Sequence, residues 1–460
     1  MHRPIRSRFA RSALIAALLA TTCPLPLAAE TLEDALTQAY QTNPTLNARR
    51  ASLRATDENV PQAAAGWRPT VRLSGNAGRR DIETTVNSRV TVNDDRNPAS
   101  LGFTVTQPIY QGGRTQAGIK RAEAQVQAER ARLMASEQSV FLGTATNYMN
   151  VLRDRAVVEL RGNNEQRLRR QLEATRDRFR VGEVTRTDVA QAESRLARSS
   201  ADRVLAEGDL TASRAQYERF VGKHPERLVE PTINLPMPKS SQEAAGIASD
   251  NNPNVLAARF EEAAQLLRIR EVQGELLPDV NIVADASRTA DSSARNQTIN
   301  QFGVSAQVTM PLYEAGSITS RVRQARETAT QRRIEIEDAR RQAHTDATTA
   351  FEALETAQAS LKALETEIAA ATIALEGVQQ EANVGSRTVL DVLDSEQEML
   401  DAQVRQVRAK RDATVATYQV LSAIGRLTAK DLGLAVPLYD FDANYQRVRN
   451  KWWDLPDALR

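Results

Sequence analysis

An internal duplication is the feature that most constrains the fold of this 460-residue chain. The segment Pro108–Gly113, with the sequence PIYQGG, recurs as Pro311–Gly316, with the sequence PLYEAG. The segment Val181–Val189 recurs in the same way as Val384–Val392, and both pairs are 203 residues apart. A repeat of about 200 residues is much longer than the unit of a solenoid. We therefore expect one large supersecondary unit that the chain uses twice.

The first 29 residues have the pattern of a secretory signal peptide. Four arginines precede a short apolar segment at 13–19, and Leu27–Ala29 is an acceptable cleavage site before Glu30. The single cysteine, Cys23, lies in this segment without a good lipobox, so we expect a plain leader and a mature chain without thiols. The mature chain would carry 56 basic and 58 acidic residues, which gives no reason to expect a nucleic acid partner.

Each repeat contains two segments in which apolar and polar residues alternate, and this period of two predicts β-strands. The strands are predicted at about 70–80 and 99–107 in repeat 1, and at about 279–287 and 299–310 in repeat 2. The polar segment between the strands is six residues longer in repeat 1, which predicts a loop that tolerates insertion. Strands of about ten residues can cross a bilayer when they are tilted. No apolar segment of the mature chain is long enough for a transmembrane helix.

A long helical hairpin is predicted after each strand pair. A stretch of 68 residues without proline separates Gly113 from Gly182, and an equal stretch separates Gly316 from Gly385. In the second stretch twelve apolar positions between Ala343 and Ala382 follow a 4-3-4-3 spacing, which predicts a coiled-coil seam. Each helix would be roughly 100 Å long. The hairpins are predicted at about 113–222 and 316–427, and each reverses at a Val-Gly pair.

The whole pattern predicts a mainly α protein with a β part. Its organisation is a signal peptide at 1–29, repeat 1 at 30–222, a proline-rich linker at 223–241, repeat 2 at 242–436, and an aromatic tail at 437–460 that docks on the helices. Four strands cannot close a membrane barrel, because the smallest barrels have eight. The strands must lie in water or close by oligomerisation, since an open sheet edge in lipid leaves backbone groups unpaired. The alternating pattern and the leader favour oligomerisation, with the hairpins extending the barrel as a helical tube.

The residues at the helix starts and reversals resemble the TolC family of outer-membrane channel-tunnels. The resemblance rests on Pro-φ-Tyr-x-x-Gly at Pro108 and Pro311, and on Val-Gly-x-x-Thr-x-x-Asp at Val181 and Val384, and it covers nearly all of the mature chain. The residues after Glu30 and the aromatic tail are similar to the type I secretion branch. The resemblance implies a homotrimer with a twelve-stranded β-barrel in outer-membrane lipid, continuous with a periplasmic α-helical barrel that closes at its lower tip.

The same resemblance implies a passive exit duct. It would conduct secreted proteins, drugs or both from an inner-membrane ABC or RND-type pump and a periplasmic adaptor. One alternative is a duct that mainly serves multidrug pumps, and another is a periplasmic coiled-coil adaptor without a barrel. Nothing in the sequence supports an enzyme or a cofactor, because His224 and His344 are isolated and no phosphate loop or nucleophile motif is present.

The candidate adaptor-contact residues lie at the two reversals. Gly182 and Gly385 are expected to end the long helices as left-handed C-caps. The resemblance implies that these tips, with Val181 and Val384, face the adaptor.

The candidate gate residues follow the tips. Asp188 and Asp391 each match a capping box, which could by itself explain both residues. The resemblance places Asp391 and Asp394 in rings at the tunnel entrance, where they would favour cations and raise the pKa of some carboxylates by mutual repulsion. It also implies that Arg387 and Asp188 hold neighbouring hairpins closed. A tyrosine of the family's gate is Ala382 here, so that link is missing.

Overall fold

The computed structural model describes residues 30–86, 89–232 and 236–453. The predicted signal peptide, including Cys23, lies outside these residues, as do three residues of the predicted linker and the last seven of the predicted tail.

Short helices with clear start signals begin each repeat. Thr31 caps the first helix, because its hydroxyl accepts the backbone N–H of Asp34 at 3.1 Å and the Asp34 carboxylate accepts the N–H of Thr31 at 3.0 Å. Asn43 caps the second helix, which has Pro44 at its first position, so the predicted interruption there is confirmed. Asn252 has the same role in repeat 2.

Both repeats then follow the same order of strands and a hairpin. Repeat 1 contains α1 (Leu32–Thr42), α2 (Pro44–Asp57), α3 (Asn59–Ala64), β1 (Thr70–Ala77), β2 (Arg80–Val86), β3 (Arg89–Arg96), β4 (Ala99–Gln111), α4 (Arg114–Arg180) and α5 (Arg186–Val221). Repeat 2 contains α6 (Ser241–Asn251), α7 (Pro253–Gln273), β5 (Asp279–Ala290), β6 (Thr298–Thr309), α8 (Ser317–Asn383) and α9 (Val389–Ala423). The tail contains α10 (Phe441–Arg449).

The long helices α4 and α8 have 67 residues each, so each is roughly 100 Å long. Both begin after a glycine in the left-handed conformation, with φ of 75° at Gly113 and 77° at Gly316. The seam in α8 is confirmed, because all twelve of its positions are buried or half-buried while most residues between them are exposed. The helix α8 packs on α9, the return helix of the same hairpin, and also on α6 and α7.

The main sheet has the strand order β1-β4-β5-β6, and all its pairs are antiparallel. The central pair of β4 and β5 joins the two repeats, while β1 and β6 are the sheet edges. The register aligns apolar side chains in rows on one face and polar ones on the other. One apolar row is Leu73, Phe103, Ala286 and Phe302, the next is Val71, Val105, Ala284 and Val304, and a polar row between them is Arg72, Thr104, Asp285 and Gly303.

The predicted loop in repeat 1 is instead a second sheet, formed by the hairpin of β2 and β3. The segment contains short alternations, with Ile82 and Val86 in β2 and Val90 and Val92 in β3, but its many Asp, Asn and Arg residues are typical of a loop. An ion pair of 2.6 Å between Arg79 and Asp95 supports the base of this hairpin. The strand bounds also differ, because β1 ends at Ala77 and β4 continues to Gln111. This extension contains Pro108, which lies at a bulge where a missing N–H is tolerated.

The main apolar core lies where the short helices and the tail pack on the long helices. Tyr148 and Tyr217 are buried there, and the Tyr217 hydroxyl donates to the Glu30 carboxylate at 2.5 Å. The predicted docking of the tail is confirmed: the backbone N–H of Tyr439 donates to the Tyr40 hydroxyl at 2.9 Å, and Arg130 pairs with Asp442 at 2.7 Å. Within the described residues, none of the helices is both long and apolar enough to span a membrane.

Candidate functional site

The two hairpin reversals have the same backbone geometry. Gly182 and Gly385 have φ values of 82° and 81°, a conformation that L side chains rarely adopt. The N–H of Glu183 donates to the Arg178 carbonyl at 2.9 Å, and that of Ser386 donates to the Glu381 carbonyl at 3.0 Å. This hydrogen bond, from an N–H to the carbonyl five residues earlier, defines the Schellman motif at the C-terminus of a helix. The predicted glycine caps are therefore confirmed at both reversals.

The side chains before these glycines extend into solvent. Val181 is 72% exposed and Val384 is 80% exposed, although both are large apolar residues. Each follows the last residue of a long helix, so both lie at the far ends of the hairpins from the sheet. The tips thus present an apolar side chain for which the described chain provides no cover.

Capping boxes begin both return helices. The N–H of Thr185 donates to the Asp188 carboxylate at 2.8 Å, and the N–H of Thr388 donates to the Asp391 carboxylate at 2.9 Å. In each case the threonine hydroxyl accepts the aspartate N–H at 3.3 Å in return. The capping role considered for both aspartates is therefore confirmed.

The pKa of Asp391 is lowered within the single chain, and the mutual repulsion expected in a ring of copies stays a prediction. The main cause is the backbone hydrogen bond from Thr388, and the hydroxyl of the same residue adds to it. A carboxylate with a lowered folded pKa stabilises the fold at pH above its ordinary pKa, and this contribution is lost as the pH falls through the lowered value. The cap therefore keeps Asp391 ionised into acidic solution.

Asp188 and Arg387 have partners only within their own hairpins. Asp188 caps α5, while the Arg387 guanidinium donates to the Glu381 carboxylate at 2.8 Å. Among the described residues neither one makes a hydrogen bond or ion pair with the other hairpin. The local geometry explains this, because Glu381 lies six residues before Arg387 across the same tight turn.

A different ion pair joins the two hairpins near their tips. The guanidinium of Arg195 on α5 contacts the carboxylate of Asp394 on α9 at 2.5 Å. These residues lie roughly 15 Å and 9 Å along their helices from the capping threonines Thr185 and Thr388. Sequence reasoning identified Asp394 but missed Arg195. The available signal was a charge difference between the repeats, since the position that matches Arg195 in repeat 2 is Glu398.

Apolar packing supports this ion pair on the side away from the tips. A small cluster of Val157, Ala206, Leu400 and Val404 brings α4, α5 and α9 together. Glu396 lies half-buried between the ion pair and this cluster, and one of its carboxylate oxygens has no hydrogen-bond partner. Burial raises the pKa of Glu396, and the charge of Arg167 offsets part of the rise.

Comparison with known proteins identifies the family. The family model described as outer membrane efflux protein matches residues 35–223 and 245–426, one segment in each repeat. The chain belongs to the outer membrane efflux protein family. The protein is therefore an outer-membrane export channel, and the alternative of a periplasmic adaptor without a barrel is not retained.

Individual proteins similar to this chain align with most of its length. The outer membrane efflux protein BepC of Brucella suis is 34% identical over 432 residues, which are 93% of each chain. The outer membrane protein TolC of Vibrio cholerae is 26% identical over 415 residues, 88% of this chain and 92% of that one. The CmeC outer membrane channel of Campylobacter jejuni has the same fold, with a TM-score of 0.77 and 14% identity, over 93% of this chain and 90% of that chain.

Proposed function

We propose that three copies of this chain close a twelve-stranded β-barrel in the outer membrane. The six hairpins of the trimer would continue the barrel as an α-helical tunnel into the periplasm. This assembly would act as a passive exit duct, with no enzymatic step of its own, for cargo delivered by an inner-membrane pump.

The main sheet is the observation that carries this proposal. Its apolar face is exposed, with Phe302 at 80%, although large apolar side chains stabilise a protein when they leave water. β5 and β6 have twelve residues each, more than the roughly 9–11 that a tilted strand needs to cross a bilayer. The free edges of β1 and β6 would cost several kcal/mol per unpaired group in lipid. Pairing β6 of one copy with β1 of the next removes both edges, and the number three follows from the family resemblance.

Cysteine cross-linking tests the trimer. We expect Ser305→Cys on β6, combined with a cysteine at one of four polar-face positions on β1, to give covalent dimers and trimers with a bis-maleimide. The four positions are Thr70, Arg72, Ser74 and Asn76, and scanning them allows for the unknown stagger between copies. Each single-cysteine variant serves as a control without ladders. A ladder that stops at the dimer, or no ladder with any pair, would contradict the trimer.

The hairpin tips are the proposed adaptor contact. Val181, Gly182, Val384 and Gly385 lie at the two tips, and the valines offer exposed apolar contacts. An adaptor that presents its own apolar residues would cover them and gain the transfer free energy of this surface. The proposed partners are thus a periplasmic adaptor and an inner-membrane pump of the ABC or RND type.

The entrance is proposed to close through polar contacts between hairpins. The ion pair of Arg195 and Asp394 supports this, because it links the hairpins close to their tips. Asp188 and Arg387 would then support the gate indirectly, by fixing the turns that carry it, unless contacts between copies recruit them.

Rings of Asp391 and Asp394 are proposed to make the entrance favour cations. We expect Asp391→Ala combined with Asp394→Ala to lower the cation preference of single channels in planar bilayers, because six carboxylates would be lost from a constriction and each Arg195 would lose its Asp394 partner. Asp34→Ala removes a capping carboxylate far from the tips and serves as the control. Since the cap lowers the pKa of Asp391, the wild-type preference is expected to persist into acidic solution. Unchanged cation selectivity in the double variant would contradict the proposal that Asp391 and Asp394 form rings at the entrance.

The cargo class is proposed as secreted proteins, drugs or both. The name of BepC supports efflux. The aromatic tail supports the secretion branch through its resemblance. Deleting the gene and comparing the secreted proteins with drug susceptibility separates these roles, because a duct that mainly serves drug pumps would change susceptibility alone.

A further inference from the structure

All three tryptophans of the chain lie at one level of the molecule. Trp67 lies just before β1, and its carbonyl accepts a hydrogen bond of 3.0 Å from the Gln107 side chain on β4. Trp452 and Trp453 follow α10, near the end of the chain. The structure brings them to the same place, because the Arg68 guanidinium donates to the Lys451 carbonyl at 2.8 Å and lies 5.1 Å from the centre of the Trp452 ring. The tail therefore returns to the helix-side end of the main sheet.

Contacts of the tail residues before the two tryptophans fix it in this place. Asn444 on α10 donates to the buried carboxylate of Asp57 at 2.7 Å, and Tyr445 donates to Glu123 at 3.2 Å. With the contact between Arg68 and Lys451, these bonds hold the segment that leads to the two tryptophans. The docking of α10 thus fixes the position of Trp452 beside Arg68.

The indole rings are exposed despite this fixed position. Trp452 is 69% exposed and Trp453 is 79% exposed, and Trp67 is partly exposed beside them. Other large residues at the same end of the sheet are also exposed, including Tyr110 and Met310 at the ends of β4 and β6. Tyr110 lies in register with Val280 and Val308, which places it on the apolar face of the main sheet, at the end nearest the long helices. The tryptophans therefore extend the apolar face at its helix-side rim.

Tryptophan beside arginine is the chemistry of a membrane–water interface. Indole is apolar over most of its surface but carries an N–H donor, so it is most stable between the acyl chains and the headgroups. A guanidinium such as that of Arg68 can pair with a lipid phosphate at the same depth. The side of the bilayer follows from the fold, because the long helices begin at this end of the sheet. If the hairpins lie in the periplasm, this rim faces the periplasmic leaflet.

We propose that Trp67, Trp452 and Trp453 form a lipid anchor that docks the C-terminal segment on the periplasmic leaflet of the outer membrane. The ligand is the headgroup region of a phospholipid surface. The anchor rests on the proposed crossing of the bilayer by the main sheet, and it goes beyond that proposal by giving the tail a membrane-binding role. In a trimer the anchors would lie at three points around the base of the barrel.

Intrinsic fluorescence tests the anchor directly, because its three residues are the only tryptophans. The full-length protein is reconstituted in phosphatidylethanolamine and phosphatidylglycerol vesicles whose acyl chains carry bromine either near the headgroup or near the chain end. We expect strong quenching by the shallow bromine, weaker quenching by the deep bromine, and little quenching by iodide in the buffer. Trp67→Phe should keep most of the shallow quenching, whereas Trp452→Phe with Trp453→Phe should lose most of it.

A second probe separates failure of the anchor from failure of the barrel. A fluorophore on Phe302→Cys, near the middle of β6, should be quenched best by the deep bromine if the sheet crosses the bilayer. Quenching of this probe together with iodide-sensitive tryptophans would overturn the anchor and leave the barrel in place. Tryptophans that neither bromine nor iodide quenches would show a protein surface, such as a second copy, as the occupant. A Phe302 probe that lipid bromine does not reach would overturn both proposals.

Discussion

Charge reversal at Arg195 is expected to open the tunnel entrance. In the structure Arg195 and Asp394 join the two hairpins of one chain, and Arg195→Glu would replace this attraction with repulsion. Exposed ion pairs contribute ~0.2–1 kcal/mol each. Three copies would act on the same constriction, so the closed state should lose roughly 0.6–3 kcal/mol from the lost attraction alone. We expect single-channel conductance in planar bilayers to rise several-fold, with a smaller rise for Arg195→Gln.

Two further variants make this result specific. Arg195→Glu combined with Asp394→Arg restores an opposite-charge pair and should return the conductance toward that of the wild type. Arg176→Glu is the matched control, because Arg176 forms an ion pair of 2.6 Å with Glu193 inside the first hairpin. Breaking it weakens one hairpin without separating the two. If Arg176→Glu opens the channel as much as Arg195→Glu does, the link between hairpins is not the closing contact.

High salt gives an independent check on the same link. Ions screen exposed charges over about 10 Å at 0.1 M and about 3 Å at 1 M. The difference in conductance between wild type and Arg195→Glu, each scaled to the conductivity of the bath, should therefore shrink as the salt concentration rises. A difference that persists unchanged would point to altered packing around Leu400 and Val404 instead of lost attraction.

The elements that sequence reasoning predicted well depend on local signals. The ends of α4 and α8 follow from Gly182 and Gly385, because a left-handed residue ends a helix whatever lies around it. The starts of α5 and α9 follow from threonines that bond to aspartates three residues later. The seam of α8 was readable because one face of the helix stays buried or half-buried from Ala343 to Ala382.

The features that it missed depend on contacts between distant segments. The alternation in β2 and β3 is short, and their many polar residues are typical of a loop. Arg195 and Asp394 are 199 residues apart, and their meeting depends on how two hairpins pack. Within the chain the Arg387 guanidinium donates to Glu381 across the turn, and its expected role between hairpins stays a prediction.

A charge on the apolar face of the main sheet is expected to prevent assembly of the barrel in the membrane. Phe302 lies near the middle of β6 and shares its row with Leu73, Phe103 and Ala286. Arginine on the lipid face at mid-membrane costs ~2–4 kcal/mol per strand, so three copies of Phe302→Arg would cost roughly 6–12 kcal/mol. We expect the SDS-resistant trimer to disappear from the outer-membrane fraction, whereas Phe302→Leu should retain it.

The neighbouring residue provides the control that distinguishes the two faces. Gln301 is aligned with Ser287 on the opposite face, and Gln301→Arg introduces the same side chain into the same strand. If the apolar face contacts lipid, Gln301→Arg should assemble normally, because its charge would face the water-filled interior. Normal assembly of both variants would mean that the sheet does not lie in lipid. Loss of assembly with Gln301→Arg alone would mean that the polar face of the sheet contacts lipid. That orientation is energetically unfavourable, because Arg72 and Asp285 would then lie in the hydrocarbon of the bilayer.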